Sequence, residues 1–406
     1  MKFNTYSISE LIDEIAMGPF GSNIKVECFV DDGIPVLNGS NLNGFFLTED
    51  SFRYVTETKA DSLGRANAHR GDIVITHRGT LGQIVCIPET SKYDRYVISQ
   101  SQFRVKCNEK ALPEYLVYYF HTAIGQHKLL SNASQVGVPA LARASTTFQK
   151  IEVEIPDIKT QQKVVSVLNA IEAKINVNRS INENLEQQVQ TLFADWLSAN
   201  NEPATEIALG NICTKVTDGS HFSPKDDSTS SIPMLSVKDM REFDFDLTSC
   251  KHICEDDYEK MVANDCVPQV NDILVAKDGS YLKEIFICNE KRKLAILSSI
   301  AIFRPNTTVI HPEILLAFLK SPRVLQEVRD NYVSGSALPR IVLKDFKKLT
   351  FSLPDMDAQN LIAPLFASIR EQIAVNVAEN KYMTQLRDAL LPKLMSGELN
   401  VDNIHL

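Results

Sequence analysis

The stretch QQKVVSVLNAIEAKINVNRSINENLEQQVQTLFADWL, from Gln161 to Leu197, decides how this chain of 406 residues is organised. Its apolar residues and two asparagines follow one another at alternating steps of four and three positions: Val164, Leu168, Ile171, Ile175, Asn178, Asn182, Leu185, Val189, Leu192 and Trp196. This heptad spacing keeps one stripe of an α-helix facing a partner helix. At the rise of an α-helix, the stripe predicts a rod of roughly 48 Å.

A second copy of this stretch begins at Gln359 and ends at residue 395. Its stripe contains Phe366, Ile369, Ile373, Asn376, Asn380, Met383, Arg387, Leu390 and Leu394. The two asparagines occupy the same places in both copies, and asparagines in a coiled-coil core favour pairing with each other. We therefore predict an antiparallel coiled coil, although two unrelated amphipathic helices are the alternative. The expected register pairs Asn178 with Asn380, and Asn182 with Asn376.

The segments around the helices repeat as well. GPFGSN, GIPVLNGSN, GDIVITHRGTLGQIVCIPE, QFRV and FQKIEVEIPDI are answered in order by TDGSHFSP, SIPMLSVKD, NDILVAKDGSYLKEIFICNE, IFRP and FKKLTFSLPDM. Phe303-Arg304 follow Phe103-Arg104 by 200 positions, which predicts equivalent places in the two halves. The chain therefore reads as a duplication of one α/β domain, of the α+β type, plus one long helix.

The predicted boundaries follow from this repeat. YVISQSQFRVKC has the alternation of one continuous strand, and PEYLVYYFHTAIGQHKLL, which starts on Pro113, has the pattern of one helix. SANNEPA is small and polar, as expected of a linker. We predict a first domain at 1–158, a spacer helix at 159–197, a linker at 198–204, a second domain at 205–355, a second spacer helix at 356–395 and a tail at 396–406.

Composition excludes several classes of protein. The apolar content of 44% is ordinary for a globular protein. No run approaches the ~18 consecutive apolar residues of a membrane span, and the N-terminal MKFNTYSISE lacks the apolar core of a signal peptide. We expect a cytoplasmic protein with reduced cysteines. Because the net charge is −9, any DNA binding depends on local cationic surface or on a partner.

Catalytic motifs are missing from the sequence. It contains no G-x-x-x-x-G-K-[ST], no H-E-x-x-H, no asparagine-proline-proline-aromatic run and no nucleophile elbow. The closest cluster of metal-ligating residue types lacks the paired C-x2-C of a zinc site; it consists of Cys250, His252, Cys254 and Cys266. We expect no catalytic residue, metal or cofactor in this chain.

Polar and cationic residues gather in loops at matching places of the two halves. Asparagine, glutamine, arginine and lysine can bond to base edges, and serine or threonine to phosphates. Two similar domains with different loops, held apart by rigid helices, suit a DNA duplex read at two places. The candidate DNA-binding residues are Ser22, Asn23, Lys25, His77, Arg78, Thr80, Gln135 and Arg143 in the first half, and Ser220, His221, Lys225, Lys277, Ser280, Tyr281, Lys283, Ser336 and Arg340 in the second.

The chain resembles the specificity subunits of type I restriction–modification systems. The resemblance is carried by GPFGSN, the HRGTLG loop, the QQK start of the first long helix, its LFADWL end, and LLPKLMSGEL near the C-terminus. It implies two target-recognition domains that read the halves of a bipartite, asymmetric DNA site and are separated by an antiparallel coiled coil. Because KDGSYLK replaces HRGTLG in the second half, the role of Arg78 does not carry over there.

The resemblance also implies a set of partners. Such a subunit has no catalysis of its own, binds no membrane, and recruits two modification subunits that methylate adenine with S-adenosylmethionine, together with restriction subunits. A coiled-coil scaffold that never reads DNA is the alternative from another class. A gel shift with the modification subunits and random-sequence duplexes separates the two, because a scaffold selects no sequence.

Overall fold

The computed structural model of the chain describes residues 2–134, 137–200, 205–279, 281–334 and 340–403. The chain divides into two compact units, Met1–Ile175 with Tyr382–Leu406, and Asn176–Lys381. Two long helices, Ile158–Ala199 and Met356–Ser396, each contribute one part to each unit. Each unit is therefore completed by a helical segment from the other half of the sequence.

The first unit is built around a four-stranded antiparallel sheet in the order Ile12–Met17, Gln102–Cys107, Ile73–Thr76, Ile84–Cys86. One face of this sheet packs against helices, and the other, through Val74 and Val85, packs against a five-stranded sheet. That second sheet has the order Phe29–Val30, Arg53–Val55, Ile34–Val36, Arg95–Val97, Asn67–His69, with one parallel pair, Ile34–Val36 and Arg95–Val97.

Shorter elements complete the first unit. Two small antiparallel sheets pair Phe3–Ser7 with Glu152–Pro156 and Ala133–Ser134 with Ala140–Leu141. The short α-helices are Glu57–Ser62, Pro113–His121, Ala123–Leu130 and Ala144–Gln149. Single 3-10 turns lie at Ile8–Glu10, Gly21–Asn23, Val26–Cys28, Gly39–Asn41, Gly64–Ala66 and Val401–Asn403.

The second unit repeats this plan. Its four-stranded antiparallel sheet has the order Cys213–Asp218, Ile300–Pro305, Ile273–Ala276, Ile285–Ile287. A three-stranded sheet has the order Lys251–Ile253, Ile232–Leu235, Ala295–Ile296, and its last pair is parallel. Two more pairs join Thr205–Ala208 with Thr350–Leu353 and Val333–Ser334 with Arg340–Ile341. The helices are Leu209–Ile212, Glu255–Ala263, Pro312–Leu319, Pro322–Asn331 and Leu343–Phe346, with a 3-10 turn at Val237–Asp239.

Two predicted elements of the first half are each divided in the structure. The expected strand through YVISQSQFRVKC is two strands, because the side chain of Gln102 accepts a bond from the amide of Ser99 at 2.9 Å and closes a turn between them. The expected helix from Pro113 is two helices, because Thr122 has an extended backbone and its hydroxyl caps the second one by accepting from Gly125.

One predicted equivalence between the halves is wrong. Arg104 lies opposite Val74 in the first unit. The residue opposite Leu274, which stands where Val74 stands, is Ile302 rather than Arg304. The equivalent strands are therefore offset by two residues. Each arginine nevertheless pairs with the buried aspartate before the neighbouring strand, Arg104 with Asp72 at 3.3 Å and Arg304 with Asp272 at 2.9 Å.

In the second unit, the parts of the two long helices run antiparallel. The amide of Asn178 donates to the side-chain oxygen of Asn380 at 3.0 Å, and that of Asn376 donates to Asn182 at 2.7 Å. Residue numbers thus rise along one helix as they fall along the other. These are the two pairs expected from the heptad spacing, and they satisfy the side chains of three buried asparagines, Asn178, Asn182 and Asn376.

The first unit shows the same helix direction at its own segments. Arg387, from the heptad stripe of the second long helix, donates to Glu172 of the first at 2.6 Å. Further along, Leu394 lies in one core cluster with Val164 and Leu168. The charged residue within the stripe is therefore neutralised by a partner on the facing helix, as a buried charge requires.

Both long helices begin with the same buried glutamine. The side-chain amide of Gln161 donates to the carbonyls of Lys110 and Pro156, and its oxygen accepts from the amide of Leu112, all at 2.9 Å. Gln359 makes the same three bonds in the second unit, with Val309 at 3.1 Å, Pro354 at 2.9 Å and His311 at 2.8 Å. Each glutamine ties the start of its helix to the adjoining domain.

The second long helix would pass as a membrane span by length and composition alone, since its most apolar 18-residue window has a mean hydropathy of 1.2. Its stripe, however, carries Asn376 and Asn380, which the first long helix satisfies. Among the described residues no other helix passes this test. The apolar character of the helix is accounted for in part by its antiparallel contact.

Candidate nucleic-acid interface

Loop segments meet at one edge of the four-stranded sheet in the first unit. His77, directly after one strand, donates its backbone amide to Ser101 at 2.8 Å and accepts at its carbonyl from the amide of Leu141 at 2.8 Å. Gly18, after another strand, donates to the carbonyl of Gln102 at 2.8 Å. Four segments that are distant in the sequence are therefore joined by backbone bonds into one surface.

The second unit has the same backbone frame. Lys277 donates its amide to Ser299 and accepts from the amide of Ile341, both at 2.9 Å, and Gly219 donates to Ile300 at 3.0 Å. Lys277 thus stands where the first unit has a histidine. The two edges are alike in backbone and different in side chains, which suits recognition of two different sequences.

The residues that follow the strand Ile73–Thr76 carry side chains that can hydrogen-bond to DNA. Arg78 and Thr80 are exposed, and Arg78 forms a backbone bridge with Ala140. His77 is half-buried, with its Nε2 3.1 Å from the carbonyl of Gln100. Burial lowers the pKa of His77 below its ordinary value of 6.5. At neutral pH this ring is therefore an uncharged donor and acceptor, and Arg78 supplies the charge.

The other candidates of the first unit have mixed surroundings. Four are exposed: Ser22, Asn23, Lys25 and Arg143. Lys25 lies 3.6 Å from Glu27, an exposed pair that contributes little. Arg143 has a left-handed backbone (φ 47°) at the start of the helix Ala144–Gln149. Gln135 lies outside the described residues.

Lys277 and Ser220, two of the predicted DNA-binding residues, have internal partners in the structure. The ammonium group of Lys277 is buried and lies 2.5 Å from a carboxylate oxygen of Asp218. The hydroxyl of Ser220 is also buried; it donates to the carbonyl of Phe222 at 2.8 Å and accepts from its amide at 3.1 Å. Because a buried charge or hydroxyl needs an internal partner, both groups shape the edge rather than extend from it.

The remaining candidates of the second unit fall into three groups. His221, Lys225, Lys283 and Arg340 are exposed. His221 lies 3.3 Å from Asp218, and Lys283 lies 3.8 Å from Glu284. Tyr281 is half-buried and packs against the core of the unit. Ser280 and Ser336 lie outside the described residues.

Sequence reasoning missed three polar or cationic residues of the first unit. Gln100 is exposed and touches both the His77 loop and the loop at Gly21. Lys128 and Lys150 line an open groove with Arg143 and make the first unit locally cationic. The polar run SQSQ was a usable signal for Gln100, but nothing local marks the two lysines. Within the part of the chain that the structure describes, no group of three or more histidine, cysteine or carboxylate side chains could hold a metal ion.

Known proteins share this organisation. The family model of the type I restriction modification DNA specificity domain matches residues 20–187 and again residues 201–382. Across 97% of its length the chain is 23% identical to the specificity subunit of the type I restriction enzyme MjaIX of Methanocaldococcus jannaschii, of which it covers 93%. It is 21% identical to the HindI specificity subunit of Haemophilus influenzae, over 75% of this chain and 82% of that protein.

A solved structure shares the fold. The S subunit of a type I restriction–modification system from M. genitalium superposes with a TM-score of 0.52 at 13% identity, covering 97% of this chain and 96% of that one. The two family matches together cover most of the chain, one in each half. Specificity subunits are not enzymes. The chain therefore belongs to the family of type I restriction–modification DNA specificity proteins and is a non-catalytic DNA-recognition subunit.

Proposed function

We propose that each unit reads one half of a bipartite, asymmetric DNA site, and that the two long helices set the spacing of the halves. The observation that carries this proposal is the pair of matching backbone edges with different side chains. A common frame presents loops to a duplex in one manner, while the side chains on it decide which base edges are bonded. In this proposal the two target-recognition domains are residues 1–158 and 205–355, and residues 198–204 are a linker.

The two units present different cationic side chains to their half-sites. Arg78 and Arg143 are exposed in the first unit, and Arg143 lines a groove with Lys128 and Lys150. In the second unit, Lys277 is already neutralised by an aspartate. Since phosphate contacts supply much of the affinity for DNA and the net charge is −9, strong binding requires partner subunits.

We assign the chemistry to those partners. Two modification subunits, each with S-adenosylmethionine, methylate an adenine in each half-site, and restriction subunits join the complex in the cytoplasm. Two units of similar fold offer two similar environments for one kind of subunit, which supports a count of two. No membrane is involved.

Single-molecule sequencing of methylated adenines tests this function. Cells that carry this chain and its modification subunits should methylate one motif made of two specified halves and an unspecified spacer. Cells with the modification subunits alone are the control and should lack the motif. Methylation that does not depend on this chain, or that follows no motif, would favour a scaffold instead.

A further inference from the structure

Each unit holds one phenylalanine out in solvent at its loop edge. The side chain of Phe20 is 83% exposed, and that of Phe222 is 61% exposed. Phe20 is two residues after Gly18, and Phe222 is three residues after Gly219, the glycines that leave the equivalent strands. One exposed apolar side chain is ordinary on a protein surface, but an exposed phenylalanine that recurs just after the equivalent glycine in both units points to a bound partner.

The backbone in front of each phenylalanine is fixed. A Cβ atom on Gly18 would lie 1.9 Å from the carbonyl oxygen of Ser99, and one on Gly219 would lie 2.3 Å from that of Ile296. Only glycine allows this close approach to the neighbouring loop. Both glycine amides also bond across to that neighbour. Each phenylalanine is therefore presented by a turn that is already ordered, which lowers the entropic cost of using it for binding.

The surroundings of the two rings indicate DNA rather than an apolar protein surface. Next to Phe20, the Gly21 backbone touches Gln100, whose carbonyl contacts His77 beside exposed Arg78. Next to Phe222 is exposed His221. An apolar ring next to hydrogen-bonding side chains matches a duplex, in which stacked bases lie between lines of phosphates.

We propose that Phe20 and Phe222 are apolar wedges that press into a base step of the half-site bound by their own unit and unstack it. The inference rests on the proposed function, because it requires that both units contact DNA. Phenylalanine and leucine side chains inserted in this way kink a duplex and let it meet more of the protein surface. The sequence of the wedged step would then be selected by its ease of deformation, without a base-edge hydrogen bond.

The test uses the chain assembled with its modification subunits and a duplex that carries the motif from methylation sequencing. 2-Aminopurine replaces one base at a time in each half-site, except at the methylated adenine. We expect wild-type protein to raise the fluorescence at one step in each half. Phe20→Ala should abolish only the first signal and Phe222→Ala only the second, each with about a 10- to 100-fold loss of affinity, the range of aromatic contacts with bases.

Two control variants sharpen the result. Phe20→Leu should keep most of the signal, because leucine can still act as a wedge. Val262→Ala removes an apolar side chain of 42% exposure on the helix Glu255–Ala263 and should change nothing. Unchanged binding by both alanine variants, or weaker binding with the fluorescence steps intact, would overturn the wedge. If wild-type protein does not prefer the motif over a scrambled duplex, the proposed function itself fails.

Discussion

Arg78 is an exposed cation at the loop edge of the first unit. The residue before it is tied by its backbone to two other loops, so the position of Arg78 is defined although its side chain is free to extend. Arg78→Ala should weaken binding of cognate DNA by the assembled complex by about 1–3 kcal/mol if the guanidinium reads a base. Competition binding at fixed salt measures this loss. Full-strength methylation at limiting protein would exclude the loop from the interface.

The matched variant for this experiment is Lys25→Ala. Lys25 is also an exposed cation of the first unit, but it lies beside Glu27 and has only an exposed ion pair to lose. It should lower affinity by less than Arg78→Ala and equally for all sequences. If both variants lose specificity equally, positive charge alone, rather than the position of Arg78, determines the effect on DNA binding.

Gln161 stabilises the start of the first long helix through three side-chain hydrogen bonds. Gln161→Leu would leave two carbonyls and one amide without their partner at the start of the first long helix. Buried groups left unpaired cost about 1–3 kcal/mol each, so we expect a loss of about 3 kcal/mol or more. In a unit of this size that lowers the unfolding midpoint by roughly 6–12 °C. Differential scanning calorimetry measures it.

The neighbouring residue supplies the control. Gln162 is exposed, so Gln162→Leu should alter the free energy of unfolding by less than about 0.5 kcal/mol. The same contrast should hold in the second unit between Gln359 and exposed Asn360. A midpoint that falls equally for the buried and exposed positions would contradict the anchoring role.

For single residues, the sequence predicts which residue types occupy the loops better than it predicts which of their side chains are exposed. The loops carry polar and cationic residues as expected, but Lys277 and Ser220 are turned inward by partners that are distant in the sequence or hidden in a turn. Asp218, which pairs with Lys277, lies 59 positions away. No local pattern reports such a partner, because tertiary packing decides which lysine is neutralised.

The asparagine pairs act at the scale of the element. Replacing Asn178, Asn182, Asn376 and Asn380 together with leucine removes both partners of each bond between asparagines. Such replacement is often neutral or stabilising, while register is lost. We expect an equal or higher unfolding midpoint together with a broader distribution of spacer lengths in methylation sequencing.

A single substitution should behave in the opposite way. Asn182→Leu leaves the amide of Asn376 without its acceptor, so this variant should be less stable by about 1–3 kcal/mol. The fourfold variant should then be more stable than the single variant. This order could not arise if each substitution lowered the free energy of unfolding independently of the others. If the fourfold variant is the least stable of all and its distribution of spacer lengths stays narrow, the asparagines do not fix the register of the helices.

Element types were more predictable than element boundaries. The long helices follow from an uninterrupted heptad pattern, which is a strong signal over many turns. The break at Thr122 escapes the same reasoning, because apolar residues continue on both sides of it. The turn at Ser99–Gln102 was missed although the polar run SQSQ interrupts the apolar alternation there. The two-residue offset between the strands of Arg104 and Arg304 is also invisible, since the arginines reach equivalent aspartates from different strand positions.

The sequence predicts the duplication of the chain clearly. It does not predict that the C-terminal residues belong to the same compact unit as the N-terminal domain. The first unit includes residues 382–406 as well as the start of the chain. Leu394 and Met395 lie in its core beside Val164. The choice of bases stays out of reach of sequence reasoning, because it depends on which side chains enter the groove and on the shape of the DNA.

Half-site exchange should therefore follow the units. Replacing residues 1–158 with the equivalent domain of a relative should change one half-site only, but it creates a foreign contact with Leu394 and Met395. A chimera that exchanges residues 1–175 together with 382–406 keeps this core intact and should have the higher unfolding midpoint. Methylation sequencing of both chimeras reads the half-sites. Changes in both halves would contradict independent reading.

The spacing itself can be altered where the long helices pass from one unit to the other. Seven residues inserted between Ile175 and Asn176, and seven more between Lys381 and Tyr382, keep the heptad phase and leave the internal contacts of each unit intact. The addition lengthens each helix by about 10.5 Å. At about 3.4 Å per base pair this is roughly three base pairs of DNA. The preferred spacer should grow by that amount in methylation sequencing.

Overall affinity should fall at the same time, because three base pairs also turn the second half-site by about 100° around the duplex at 10–10.5 base pairs per turn. Insertion into one helix alone is the control. It adds the same residues but makes the two helices unequal in length, so the asparagine pairs of the second unit and the Arg387–Glu172 pair of the first unit cannot all form on two continuous helices. That variant should lose stability without gaining a defined longer spacer. An unchanged spacer in the double insertion would mean that partner subunits, rather than the two helices, measure the distance between the half-sites.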